Sequence, residues 1–424
     1  MTMFVRHPVW LRSVTRPGAE SFAMVFALES LSRSLISSVI PIQLLRIFGD
    51  TQHVSVMYFG ASCIGLVVSL FLPLLVGIIP RRWVYSIGAT LFVTAAMLFM
   101  VDSEISLALG MLARVVGLVS TTICMNLYIL DYIARKDLSK SEPKRVYYSA
   151  LSWTIGPVCG ALLFKWGGDW APFAASAVCA GSMLGYFWFL RLGKDTVIFP
   201  AKTTDTKSKR AQNPLVMIGR YLKQPRLNTA WILAFCRASW WSMFFIYTPL
   251  YAVESGLGEV VGGLIVSMGN ACLFFLPLWV KIVRRIGARK TLIIAFFISG
   301  VGTSLVFFAN GYAFLGAGFI LFAALGMSFQ DAIGNLPFMA AVRPKERPEM
   351  TSVFSTYRDA SELIPSGIFA ILLRSYELSS VFLVTGGLMF VVAGFSRKLH
   401  PRLGKDRVAP QALPEIGSVE KNPV

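Results

Sequence analysis

The sequence predicts an all-α integral membrane protein with twelve transmembrane helices in two pseudo-symmetric six-helix bundles. Of its 424 residues, 55% are hydrophobic and 15% charged, and the mean hydropathy is +0.64. Soluble domains are typically about 45–50% apolar and about 25% charged, so this composition excludes an ordinary soluble enzyme and a disordered chain. A net charge of +18 alone would suggest a nucleic-acid partner. Combined with this apolar fraction, it indicates instead a membrane protein with basic loops and no nucleic-acid partner.

Twelve apolar stretches are long enough to cross a bilayer, which takes about 20 residues in a helix. A long polar stretch separates the first six from the last six. We therefore predict an N-terminal bundle (1–191), a cytoplasmic linker (192–226), a C-terminal bundle (227–396) and a cytoplasmic tail (397–424). The stretches, numbered as spans 1 to 12, lie near residues 21–45, 54–79, 83–101, 105–133, 146–166, 171–191, 228–253, 260–282, 289–309, 312–340, 351–373 and 378–396.

An internal repeat relates the two halves. Three pairs of segments match at nearly equal offsets of 204 or 208 residues: Phe71–Val76 with Phe275–Val280, Pro41 with Pro249, and Pro157 with Pro365. Duplicated halves with a binding site between them are typical of transporters. The alternative is a membrane scaffold that kept its duplicated origin.

The basic residues orient the chain. With the N-terminus in the cytoplasm, 33 of the 40 Lys and Arg residues fall on the cytoplasmic side, three fall in outer loops and four lie inside spans. Because Lys and Arg resist translocation, this asymmetry predicts that both termini are cytoplasmic. We expect a multi-pass protein of the cell membrane, in a bacterium the inner membrane, and we expect it to be a monomer.

Four arginines inside the spans indicate a polar site within the membrane. A charge at the bilayer centre costs at least about 2.5–3.5 kcal/mol, so each must face a cavity or a partner. The guanidinium group binds carboxylate or phosphate through two parallel hydrogen bonds. We therefore predict that the arginines bind an anionic substrate group, with two tryptophans one turn from Arg237 available for stacking. The predicted substrate-binding residues are Arg33, Arg114, Arg237, Trp240, Trp241 and Arg358.

Three intramembrane carboxylates are candidates to carry a coupling proton: Glu29, Asp331 and Glu362. Burial favours the neutral form of a carboxyl group, and Glu29 and Glu362 lie deepest. Glu29 and Arg237 occupy equivalent positions in the repeat, so a bridge between the halves is expected there. The alternative is a buried ion-pair network that only holds helices together.

Three local motifs resemble those of the major facilitator superfamily. Val280–Lys290, between spans 8 and 9, looks like that family's cytoplasmic loop motif, although Val280 replaces its first Gly and Arg284 its Asp. Gly77–Arg82 is a more degenerate copy. Gly156-Pro157-x-x-Gly160 in span 5 is similar to the family's antiporter motif, and Arg114–Gly117 to its span 4 motif, with the glycine one residue early. The resemblance covers nearly the whole chain, and its implied gating residues are Arg81, Arg82, Asp131, Gly156, Pro157, Gly160, Arg284, Arg285, Gly287 and Arg289.

The resemblance implies a proton-coupled transporter that moves a small organic solute by alternating access. The central arginines favour a carboxylate-bearing solute, and the span 5 motif favours export by antiport. Proton-coupled uptake of an organic anion or chelator is the alternative, and a non-transporting receptor or scaffold is the alternative of another class. The spans lack the common hydrolase, metalloprotease and nucleotide-binding motifs, and no histidine lies in them. We therefore expect no enzyme, cofactor or metal, and expect protons and a small molecule as the partners.

Overall fold

In the computed structural model, residues 19–132, 135–190, 214–309, 311–343, 346–401 and 403–404 are described, and every regular element within them is a helix. Most of the predicted linker and tail lies outside these ranges. The helices of the N-terminal half are α1 (Ala19–Leu35), α2 (Val39–Phe48), α3 (Thr51–Ile78), α4 (Arg81–Phe99), α5 (Glu104–Tyr132), α6 (Arg135–Gly167) and α7 (Ala171–Phe189). Those that follow are α8 (Pro214–Leu222), α9 (Pro225–Glu254), α10 (Glu259–Ala271), α11 (Leu276–Ile286), α12 (Ala288–Phe308), α13 (Ala313–Asp331), α14 (Leu336–Ala341), α15 (Arg347–Ser355), α16 (Tyr357–Leu372) and α17 (Ser379–Phe395).

Four predicted spans are interrupted helices rather than continuous ones. A three-residue turn separates α1 from α2, and a short 3-10 segment (Cys272–Phe275) joins α10 to α11. Residues 332–335 separate α13 from α14, and Thr356 separates α15 from α16. Gly334 has a positive φ of 53° in one of these breaks, which glycine adopts without steric cost. Interrupted helices leave backbone groups free, and such groups occur at membrane depth only in a protein interior or a cavity.

Nine helical segments of the described chain are long and apolar enough to cross a membrane by length and composition alone. They match spans 1–4, 6, 8–10 and 12. Helices α6, α9 and α16 occupy the predicted positions of spans 5, 7 and 11. Helix α16 has only 16 residues and carries three charged side chains. Twelve segments therefore match the predicted spans by position, although the apolar criterion recognises nine of them.

The packing of the helices repeats between the halves. Helix α1 packs against α6 and α7, as α9 packs against α16 and α17. Helix α4 packs against α5 and α7, as α12 packs against α13 and α17. Across the interface, α6 packs on α10 and α3 packs on α16. In the repeat, span 5 corresponds to span 11 and span 8 corresponds to span 2. The repeat therefore converts the first contact into the second, as a two-fold relation between the bundles requires.

The apolar core joins the halves only toward the predicted outer end. One buried cluster extends through the second half from Phe382 to Val283, and its first-half members, among them Ile40 and Phe99, lie at the predicted outer end. Toward the other end, first-half residues around Phe22 form a separate cluster. In the described residues the apolar cores of the two halves are thus joined at one end and separate at the other.

Candidate functional site

A cavity of about 480 Å³ lies between the two halves at the middle of the bundle. All four intramembrane arginines line it, together with Asp331 and Glu362. The first half contributes from spans 1, 2, 4 and 5, and the second from spans 7, 10 and 11. Aromatic lining comes from Tyr58, Trp153, Trp241, Phe245 and Tyr357. The sequence-predicted charges of both halves therefore meet in one cavity.

The second half neutralises its central arginine with its own carboxylate. Arg237 Nε lies 3.6 Å from Asp331 Oδ1, and its Nη2 donates to Asn335 Oδ1 at 3.2 Å. Trp241 Nε1 donates to the other carboxylate oxygen of Asp331 at 3.0 Å. Both side chains of the ion pair are largely buried, with 12% and 21% of the Arg237 and Asp331 surfaces exposed. The bridge expected between Glu29 and Arg237 is absent, because each residue pairs within its own half.

The first half leaves more of its positive charge available. Arg33 Nη1 lies 3.9 Å from Glu29 Oε1, and its guanidinium lies 5.7 Å from the Trp153 ring centroid. Arg114 has no carboxylate within 4.0 Å among the described residues. The Nε atoms of Arg33 and Arg114 are both buried with no hydrogen-bond partner. Buried donors of this kind are costly unless a ligand or water satisfies them.

Glu362 faces these arginines from the opposite half. Its side chain is open to the cavity, and no basic nitrogen of the described chain lies within 4.0 Å of it. The positive charges that act on it are those of Arg33 and Arg114. Tyr58 lines the same cavity, and its hydroxyl group interacts electrostatically with both Arg114 and Glu362. An acid and a base on opposite walls are thus close enough to interact but do not form an ion pair.

Two predicted site residues lie behind the cavity wall. Glu29 is 2% exposed, accepts from Thr121 Oγ1 at 3.4 Å and does not line the cavity. Trp240 is 1% exposed, donates to Thr303 Oγ1 at 2.9 Å and stacks on Phe244. It points into the second bundle, so its neighbour Trp241 is the tryptophan of this pair that reaches the cavity.

The Gly-Pro segment of span 5 packs closely against span 1. Gly156 packs against Ser34 and Gly160 against the carbonyl group of Leu35, so that an added Cβ has no room at either position. Across the interface, Gly263 of α10 packs on the Pro157 carbonyl, and the Val158 N–H donates to Ser267 Oγ at 3.0 Å. This segment therefore lies between the break in span 1 and the other half, where a relative movement of the bundles would act on it.

The predicted loop residues lie at the end of the bundle opposite the predicted outer end. Gly287 has a φ of 88° and its N–H donates to Val283 O at 2.8 Å, which ends α11 and begins α12. Arg284 and Arg285 are exposed, and Arg289, Arg81 and Arg82 are partly buried. Asp131 lies on α5, but its side chain is outside the described part, so its predicted pairing with Arg81 or Arg82 stays a prediction.

The predicted outer end is closed by polar contacts as well as by the core. Ser55 Oγ and Tyr247 OH lie 2.7 Å apart and join α3 to α9. Arg46 Nη1 lies 2.6 Å from Asp169 Oδ2 of its own half, and its Nη2 lies 3.5 Å from Glu259 Oε1 of the other half. These contacts connect the halves above the cavity.

Sequence reasoning missed several lining residues that carry no formal charge. Tyr58, Met111 and Phe245 line the cavity, and Asn335 holds Arg237. The charged residues and the two tryptophans one turn from Arg237 stood out, whereas nothing distinguished these lining residues from the many other apolar and aromatic residues of the spans. For Asn335 a signal was present, because an amide next to Gly334 and Pro337 suggests a helix break. Among the described residues, no group of three His, Cys, Asp or Glu side chains is arranged to hold a metal ion.

Two related helical halves around a central, charged cavity are typical of membrane transporters. The chain belongs to the Major Facilitator Superfamily, whose family model matches residues 22–272 and 266–423. No curated relative matches it.

Solved transporters share the fold at low sequence identity. A peptide transporter in complex with sulfate is 13% identical, with a TM-score of 0.72 over 93% of this chain and 98% of that one. A nucleoside transporter is 15% identical, with a TM-score of 0.67 over 90% and 99%. A bacterial homologue of the iron transporter ferroportin, in an inward-facing state, is 18% identical, with a TM-score of 0.67 over 90% and 98%. The TM-scores establish a common fold, and sequence identities this low leave the substrate open.

Proposed function

We propose that this transporter exports a small, carboxylate-bearing organic solute in exchange for protons, by alternating access. The observation that carries the proposal is the central cavity, which holds four arginines and Glu362 from both halves. Its volume of about 480 Å³ lies within the roughly 300–1,000 Å³ typical of small-molecule sites. We place the protein in the cell membrane with both termini cytoplasmic.

The carboxylate of the solute binds the arginines that the chain leaves least satisfied. Arg33 and Arg114 share one wall, and Arg358 is exposed at the other. Arg237 is held by Asp331 and Asn335, so its role is to position Asp331 and Trp241 in the wall. Breaking a buried pair to bind a substrate would leave an uncompensated charge, which is strongly unfavourable.

Glu362 is the carboxylate best suited to carry the proton. It is open to the cavity, whereas Glu29 lies behind the wall and Asp331 is engaged by Arg237 and Trp241. A carboxylate that exchanges protons during transport must reach water on each side in turn. Of the three candidates, Glu362 meets this requirement without breaking an existing pair.

The sealed outer end and the separate cores at the other end support a cytoplasm-facing state. Solute and proton then exchange sides when the bundles tilt about the contact between α6 and α10. The Gly156–Gly160 segment lies in this contact, and its small residues permit the close packing that such a pivot needs.

The experiment is flux across proteoliposomes with an imposed pH gradient and a panel of radiolabelled carboxylates. We expect solute to leave the compartment that faces the cytoplasmic side when the opposite compartment is acidified. Glu362→Gln should abolish pH-driven flux and keep solute–solute exchange, and Arg114→Gln should abolish both. Accumulation with the proton flow would instead support uptake. Flux that neither substitution alters would support a non-transporting receptor or scaffold.

A further inference from the structure

We propose that the solute is dipolar, with a carboxylate that binds Arg114 and a separate ammonium or other cationic group that binds Glu362. The inference rests on the proposed function and specifies its substrate class. It follows from which charges of the cavity the chain itself neutralises and which it leaves for a ligand.

Two central charges form no ion pair with any residue that the structure describes. Arg237 and Asp331 neutralise each other, and Arg33 is near Glu29. The charge of Arg358 acts on the carboxylate of the adjacent Asp359. Arg114 and Glu362 remain, and among the described residues neither has an opposite charge within 4.0 Å. The Nε of Arg114 is also buried without a hydrogen-bond partner. The remainder of the site is therefore one positive and one negative charge, which match a solute with one of each.

The two charges lie on opposite halves. Arg114 is on α5 of the first bundle and Glu362 on α16 of the second, and both line the same cavity. A dipolar solute that binds both connects the two bundles through its own length. Its binding free energy then favours the state in which the halves approach each other, as a transport cycle requires.

A simple anion fits this arrangement less well. Bound at Arg114, it would face the Glu362 carboxylate across the cavity, and like charges at close range repel strongly where water is scarce. It would bind well only when Glu362 is protonated. A dipolar solute satisfies both charges at once and leaves the net charge of the site unchanged.

This assignment also supplies the coupling. The ammonium group of the solute and a proton compete for one carboxylate, so Glu362 holds one or the other. When the solute leaves, its ammonium group departs with it, and Glu362 takes a proton from the side to which the cavity is open. The proton returns to water on the other side as the next solute binds. One solute is thus exchanged for one proton, with no covalent step.

The test uses a matched series of ligands on purified, full-length protein. The probes are the ω-amino acids from 3-aminopropanoate to 8-aminooctanoate, because the series varies the separation of the two charges. Each is compared with its N-acetyl derivative, which keeps only the carboxylate, and with the amine of equal length. Binding is measured by calorimetry and by the shift of thermal unfolding.

We expect one chain length to bind best, about tenfold or more tighter than its N-acetyl derivative and its amine. Glu362→Gln should remove this preference, because it weakens binding of the amino acid and strengthens binding of the N-acetyl derivative, which no longer faces a carboxylate. Arg114→Gln should weaken every carboxylate. Glu377→Gln removes the same charge at the predicted outer end and should change nothing. Glu362→Asp and Arg114→Lys keep the charges, so partial binding by these variants shows that losses do not reflect misfolding.

Three results would overturn the proposal, and they distinguish its failure from failure of the proposed function. Tighter binding of the N-acetyl derivatives than of the amino acids at every length would refute the dipolar solute and leave export of an anion standing. Equal loss of both ligand types in Glu362→Gln would do the same. Failure of every carboxylate, with or without an amine, to bind the wild-type protein would count against the proposed function as well.

Discussion

The indole N–H of Trp241 donates a hydrogen bond of 3.0 Å to the carboxylate of Asp331. The other oxygen of this carboxylate faces Arg237 at 3.6 Å, so both oxygens are engaged by side chains of α9. A carboxylate held on both sides is a fixed element of the wall. This relationship separates Asp331 from Glu362, although the sequence places both acids inside the membrane.

Asp331 and Arg237 are expected to show strong energetic coupling. Either Asp331→Asn or Arg237→Gln leaves a partly buried charge without its partner and should lower the thermal stability in detergent. The double variant leaves no such charge and should recover part of the loss. We expect a coupling free energy of about 0.5–3 kcal/mol, since contacting pairs typically show this range. Additive losses in the double variant would mean that water or another group already compensates each charge.

The fold was largely predictable, because the length and number of apolar stretches limit a membrane protein to few architectures. Spans 5, 7 and 11 are the more polar helices, as helices that border a cavity can be. The breaks at residues 36–38 and 332–335 were not predicted, because hydropathy does not register a turn inside an apolar stretch.

The composition of the site was predictable, and its pairing was not. The cost of a charge in the membrane singled out the four arginines. The expected partner of Arg237 was Glu29, from the repeat, but the structure pairs Arg237 with Asp331 and Glu29 with Arg33. The repeat relates positions in the two halves, whereas a pairing depends on which helices are neighbours within one half. Trp240 and Trp241 show the same limit, since adjacent residues on a helix point about 100° apart and only one reaches the cavity.

Gly160 should tolerate no side chain, in contrast to a glycine that faces outward. In Gly160→Ala the new Cβ would overlap the Leu35 carbonyl group, which is backbone and cannot move aside cheaply. Overpacking of this kind costs about 1–3 kcal/mol, so the variant should unfold at a lower temperature. Gly185→Ala is the matched control, because no atom lies within 4 Å of its added Cβ. Helix propensity should make that variant neutral or slightly more stable. Equal melting temperatures for the two variants would contradict the contact.

The Arg46–Glu259 contact should hold the predicted outer end closed. Glu259→Gln removes only the link between halves, whereas Asp169→Asn removes the partner within the same half. Exposed ion pairs contribute about 0–1 kcal/mol, so we expect Glu259→Gln to raise the population of outward-open molecules by up to about fivefold. The readout is labelling of Ser55→Cys, a buried site beside Tyr247, by an impermeant maleimide in a background without the native cysteines.

High salt should reduce the difference in labelling rate between Glu259→Gln and the parent protein, since salt already weakens the Arg46–Glu259 ion pair in the parent. The Asp169→Asn control should label more slowly than Glu259→Gln. If it labels as fast or faster, the contact within the first half, and not the link between halves, determines opening.

Glu254 should make the protein less stable as the pH rises through the mildly acidic range. It follows span 7 at the predicted outer end, where partial burial and the carboxylates of Asp50 and Glu377 raise its pKa from 4.5 to about 7. Between these two pH values the folded protein binds more protons at this site than the unfolded chain, so stability falls as the pH rises. The contribution is fully present below about pH 4.5 and is lost above about pH 7.

Replacement of Glu254 by glutamine should abolish this pH dependence. Melting temperatures of Glu254→Gln and the wild-type protein, measured in detergent from pH 4.5 to 8, should be closest at the acidic end and diverge as the pH rises, with the variant more stable. Glu104→Gln, an exposed acid at the same predicted end, is the control and should follow the wild-type curve. A constant difference between Glu254→Gln and the wild type across this range would show that the carboxyl group titrates alike in the folded and unfolded states, against the clustering of the three acids.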